Sequence, residues 1–145
     1  MSAEECRTEE GRNGRSAYCR LCGCKVIAPG AAVYEEGLEM ALPSSGGAAL
    51  PPREEWEEVR GGWVLTNQMH FENVAFSTPL GDMRLLSCAD CEQEVVGAKV
   101  AAQRFCLVHG RLLWDDAAAA ALKARLPRQE LSAAVLQQLG VLGKQ

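Results

Sequence analysis

The sequence has no apolar run approaching the roughly 20 residues that a bilayer-spanning helix needs. It also lacks a basic excess. Fifteen Lys and Arg stand against nineteen Asp and Glu, for a net charge of −4. A phosphate-backbone binder needs a basic footprint, so nucleic acid is disfavoured as a partner. The first residues, MSAEECRTEEGRNGR, lack the apolar core of a signal peptide, and their acidic residues speak against a mitochondrial presequence. A cytoplasmic or nuclear location is therefore expected. There is no G-x-S-x-G and no evident nucleophile–base triad, so the chain does not read as an enzyme.

What is present is the balance of a folded protein, with 48% hydrophobic and 23% charged residues. A length of 145 residues suits one domain with a small appendage. Residues 1–16 are polar and without apolar periodicity, and read as a disordered leader. Short apolar stretches then alternate with Gly and Pro. KVI, AAVYEEGLEMAL, WVLTN, FENVAF, DMRLLS, VVGAKV and RFCLVHGRLLW read as strands, with breaks near Gly37 and a turn at Gly110. REEWEEVR reads as a helical turn or two, stopped by Gly61 and Gly62, with its acidic face in solvent. PSSGGAALPP, residues 43–52, is a loop. From 115 to 145 the composition turns helical. DDAAAAALKARL opens on aspartates, Pro127 breaks it, and Leu131, Val135 and Leu139 share one face of a second helix.

Seven cysteines in a reducing compartment point to metal rather than disulfides. Cys19 and Cys22 form one CxxC, in YCRLCGCKV; Cys88 and Cys91 form another, in SCADCEQ. Two such pairs supply the four thiolates of a closed structural zinc site, one ion per chain. The stretch between the pairs is too long for a compact zinc ribbon, so it must form a sheet of its own, clamped at both ends. Cys24 follows closely enough to compete with Cys22, although Gly23, directly after Cys22, favours Cys22 as the ligand. Cys6 falls in the leader and reads as a bystander. His70 and His109 lie at no ligand spacing.

YCRLCGCKVIAPG followed by HFENVAFSTPLGDMRLLSCADCE resembles the Rab-interacting factor family, small zinc proteins of the Mss/Dss type. The resemblance runs from about residue 17 to 97, and more loosely to 114. It implies a mainly β, tent-like domain over 17–114 clamped by the four-cysteine site, with a C-terminal helical extension. It further implies a guanine-nucleotide release factor or chaperone in vesicle transport. Its partner would be a nucleotide-free Rab-type GTPase, through which alone it would meet membranes. The residues carried over are the four cysteines, Asp90 inside the second knuckle, and Phe71, Glu72, Asn73, Val74 and Phe76. Phe71 and Phe76, five apart, would face opposite sides of a continuous strand. The family's Gly-Trp-His-like stretch after the second knuckle is replaced here by QEVVGAKV.

Two other classes compete. RFCLVHG resembles the active-site string of zinc-containing methionine sulfoxide reductases of the B type, with Cys106 as the attacking sulfur. The cysteine pairs would also suit a zinc-ribbon nucleic-acid module, which the net charge opposes.

Overall fold

β-Branched and aromatic stretches punctuated by Gly and Pro favour extended backbone. Strands accordingly dominate the computed structural model, which describes residues 1–44, 50–92, 94–125, 132–138 and 140–144. In chain order they are β1 (Ala17–Cys19), β2 (Lys25–Ile27), β3 (Val33–Leu42), β4 (Glu57–Leu65), β5 (Ala75–Phe76), β6 (Arg84–Ser87), β7 (Val95–Ala101), β8 (Arg104–Leu107) and β9 (Leu112–Leu113). A short helix α1 (Ala3–Cys6) precedes them and α2 (Asp116–Arg125) follows. The pairs are antiparallel. One sheet has the order β2-β1-β9, the other β3-β4-β8-β7-β6-β5.

The main core draws on both sheets. Ala17, Ile27 and Leu112 of the small sheet join Trp63, Leu65, Leu86, Val96, Phe105 and Leu107 of the large one. Trp63 is fully buried and packs edge-on to Tyr34, with ring centroids 5.0 Å apart. Its indole N–H donates to Nδ1 of His109, 3.1 Å away, and the His109 ring stacks on Trp114. The centre of the large sheet is unusually tight. A Cβ placed on Gly97 of β7 would lie 1.8 Å from the carbonyl oxygen of Cys106 on β8.

Four expectations are corrected. Residues 1–16 are fixed to the domain rather than loose. α1 carries a capping box in which Ser2 Oγ accepts from the Glu5 amide and Glu5 accepts from the Ser2 amide. Cys6 is a core residue, 2% exposed, not a bystander. Asn13 is fully buried. Its Nδ2 donates to the carbonyls of Arg15 and Ala28, and its Oδ1 accepts from the Ala32 amide. Gly11 and Arg12 run along the edge of β3. One buried thiol, one buried amide side chain and backbone hydrogen bonds make these attachments, none of which leaves an apolar periodicity in the sequence.

REEWEEVR is one 3₁₀ turn, Arg53–Glu55, leading into β4, which runs through both glycines. Gly61 takes a positive φ of 81°, and a Cβ on it would meet the Tyr34 hydroxyl at 2.5 Å. The glycines thus admit close neighbours instead of ending the strand.

The expected second C-terminal helix is replaced by a hairpin of β10 (Ser132–Gln138) and β11 (Gly140–Lys144), in which Gln137 pairs with Gly140. A short apolar run with spacing of four fits either state, and Gly140 and Gly143 penalise helix over turn and strand. Residues 126–131 and 139 of the expected helices, and 45–49 of the expected loop, lie outside the described residues. The expected first helix is α2. Asp115 caps it by accepting from the Ala118 amide, and Tyr18 Oη donates to Asp116 Oδ1 at 2.6 Å. Among the described residues no helix is long and apolar enough to cross a membrane.

A four-cysteine candidate metal centre

The two CxxC pairs come from different sheets. Cys19 ends β1 of the small sheet, and Cys88 follows β6 of the large one. Each pair sits in a tight turn. The Gly23 amide donates to the Cys19 carbonyl and the Glu92 amide to the Cys88 carbonyl. Gly23 has a φ of +83°, the left-handed geometry that glycine adopts without strain. It also seats α2, because a Cβ there would lie 2.6 Å from the Ala119 carbonyl oxygen.

The sulfurs of Cys19, Cys22, Cys88 and Cys91 all lie within 4.8 Å of one another. Cys19 and Cys91 are 3.7 Å apart, Cys22 and Cys88 3.5 Å. A tetrahedron of sulfurs about 2.3 Å from a zinc ion has edges of about 3.8 Å. The donor set and its spacing therefore fit such an ion. The protonation pattern fits as well. The Cys88 thiol is lowered to about 5, chiefly by a hydrogen bond from Cys19, while Cys19 is raised by that same bond and by burial. Burial pushes Cys22 up to about 12. A divalent ion is what lets all four exist as thiolates.

Cys24 is not in the cluster. It is buried beside it, and its thiol donates to Asp90 Oδ2. That bond settles the competition with Cys22 and fixes the carboxylate of exposed Asp90 next to the first knuckle. His70 is exposed on a 3₁₀ turn, and His109 is held by Trp63 and by the Met1 carbonyl.

The FENVAF segment joins the metal centre to the sheets. Asn73 Nδ2 donates to Cys88 Sγ at 3.4 Å, the kind of outer contact that orients a metal-binding sulfur. The Glu72 amide donates to the Val26 carbonyl, and its carboxylate stands 4.0 Å from Lys25 Nζ. Only Ala75–Phe76 of the segment is strand. The rest bends, so Phe71 and Phe76 do not face opposite sides. Both rings pack edge-on against Phe105, at 5.7 and 5.9 Å. Phe71, Val74 and Phe76 remain half-exposed where they pack on the core. With Met69, Arg84 and Lys99 they line an open groove of about 420 Å³. Arg84 and Lys99 are opposed across β6 and β7, a juxtaposition only the strand register reveals.

Cys106 is fully buried in mid-strand against Leu38 and Val64, and burial pushes its thiol up to about 11. A sulfoxide-attacking cysteine must reach substrate as a thiolate. Cys106→Ala is expected to lose about 1 kcal/mol of stability and to keep the metal. Parent and variant alike should fail to reduce a methionine sulfoxide peptide. Turnover by the parent that the variant lacks would reverse this reading.

A family model described as "Mss4 protein" matches residues 12–112. The chain is 26% identical over 98 residues to a Drosophila melanogaster protein named "Guanine nucleotide exchange factor MSS4 homolog". That similarity covers 67% of this chain and 80% of the fly protein. The span matched by the family model holds all four clustered cysteines, Asp90 and the FENVAF segment, and ends before α2.

Proposed function

Since the chain belongs to the Mss4 family, we propose that it is a guanine-nucleotide exchange factor that works by binding, not by bond chemistry. Its partner is the nucleotide-free form of a Rab-type small GTPase, met in the cytoplasm, and membranes are reached only through that GTPase. One structural zinc ion sits on Cys19, Cys22, Cys88 and Cys91 and, when bound, ties the two sheets together. The observation that carries the reading is the physical continuity of the metal centre with the FENVAF segment, made by Asn73 on Cys88.

The partner surface then comprises Asp90, the exposed carboxylate of Glu72, and the groove walled by Phe71, Val74 and Phe76, with Asn73 anchoring it from behind. Half-exposed aromatic and aliphatic side chains supply apolar anchors, and Asp90 supplies a charge for a basic group on the partner. Release of nucleotide needs no acid or base on this chain. It needs a surface that binds the empty GTPase better than the loaded one. Linkage makes the effect reciprocal: the affinity gained for the empty form is lost by the nucleotide.

The test is affinity for a panel of Rab GTPases in empty, GDP-bound and GTP-bound states. Tight binding is expected only to the empty form of at least one, and excess GTP with Mg²⁺ should dissolve that complex. Asp90→Ala should weaken it about tenfold at unchanged metal content. Equal affinity for all three states, or loss of metal together with binding in Asp90→Ala, would overturn the assignment.

A further inference from the structure

Knuckle residues that carry no sulfur also meet across the cluster. Arg20 lies between the ligands Cys19 and Cys22. Its guanidinium Nε is ion-paired with Oε2 of Glu94, three residues past Cys91. The Glu94 side chain is only 3% exposed, so its charge has little water to lean on. The Glu94 carbonyl accepts from the amide of Cys88 at 3.2 Å, placing residue 94 directly on the second knuckle. Arg20 Nη1 donates in addition to the Gly110 carbonyl at 3.0 Å, on the turn between β8 of the large sheet and β9 of the small one.

We propose that Arg20 and Glu94 form a latch that joins the two cysteine pairs by a second route beside the metal, so that the bound ion is retained. The inference rests on the four-cysteine metal reading and goes beyond it. The path from knuckle to knuckle through Arg20, Glu94 and the Cys88 amide passes through no sulfur. It links the two sheets at the cluster through side-chain and backbone contacts alone. Charge gives the latch a second task. Four thiolates around a divalent ion carry a net charge of about −2. A nearly buried carboxylate on a residue that meets the second knuckle adds negative charge that the Arg20 cation offsets. Both are positioning residues, since neither contributes a ligand atom.

Electrostatics orders the variants. Arg20→Met strands the buried Glu94 carboxylate without its cation, and removing one partner of a buried pair is the costly change. Glu94→Gln removes the pairing but leaves no orphan charge. The double variant Arg20→Met/Glu94→Gln removes both charges and so should do better than Arg20→Met alone. With full-length protein loaded with zinc, transfer to a chelator should be about 100-fold faster in Arg20→Met and about tenfold faster in Glu94→Gln. The double variant should return to about tenfold.

Cobalt loading adds a spectroscopic readout, because four-sulfur coordination gives visible bands that report ligand geometry directly. Val64→Ala, in the core pocket around Cys106, is the control for general destabilisation, and metal release should stay unchanged in it. If the double variant is as fast as Arg20→Met, or if Val64→Ala releases metal as fast as Glu94→Gln at the same melting temperature, the latch is wrong. A parent chain that takes up no cobalt would instead sink the metal reading itself. A parent that binds while all variants match it sinks the latch alone.

Discussion

Replacing Cys88 by serine is expected to remove the metal and with it most of the stability of the fold. Cys88 is fully buried. The hydrogen bond from Cys19 lowers its thiol, and its sulfur also receives Asn73. A serine hydroxyl sits on a shorter bond and does not ionise near neutral pH, so three thiolates and a gap would remain. Metal binding at structural zinc sites supplies on the order of 10–16 kcal/mol, as much as the whole stability of an ordinary domain. The loss should be visible as a metal-to-protein ratio near zero and as collapse of the cooperative thermal transition. A Cys88→Ser protein that melts like the parent while empty of metal would show that the cluster is not structural.

The second large effect is expected at a site with no side chain at all. Gly97 pairs with Leu107 on β8 and with Leu86 on β6, in the middle of the large sheet. An alanine Cβ there would fall 1.8 Å from the Cys106 carbonyl oxygen and 2.9 Å from the Leu107 Cα. Both are backbone atoms, which no rotamer change can move aside. Gly97→Ala must therefore part β7 from β8, at a cost of about 3 kcal/mol or more. Gly37→Ala, on β3 with no atom within 4 Å of the new methyl group, is the matched control. Urea denaturation should show a midpoint far below the parent's for Gly97→Ala and close to it for Gly37→Ala. Equal midpoints would mean the strands adjust more freely than their spacing allows.

The chemistry-bearing part of this protein was open to reading because it is local. A CxxC brings two thiols together within four residues, and two such pairs point to the four-cysteine cluster that the structure assembles. The strands around Trp63 and Phe105 were legible for the same reason, each being a short apolar run between turn residues. What escaped depended on partners distant in sequence. Asn13 looks like any loop asparagine until Ala28, Arg15 and Ala32 are placed around it. Arg111, nearly buried, gains its meaning from Pro43, Glu57 and Val95. Phe71 and Phe76 were assigned to opposite faces by a strand rule that holds only for unbroken strand, and the segment bends between them. The C-terminal stretch misled through a spacing of four that several states share.

The placement of the cysteine pairs also bears on how the chain comes into being. The first pair is made early and the second only after most of the large sheet has been synthesised. β1 then waits for β9, close to the end of the family-matched span, to pair on its free edge. At about 5–20 residues per second, Cys19 and Cys22 stand for several seconds on the ribosome without the thiols that complete their tetrahedron. During that interval the first dithiol stands without the second pair that the folded structure brings against it. The rate of elongation through β2 to β6 thus sets how long the first pair waits for the second.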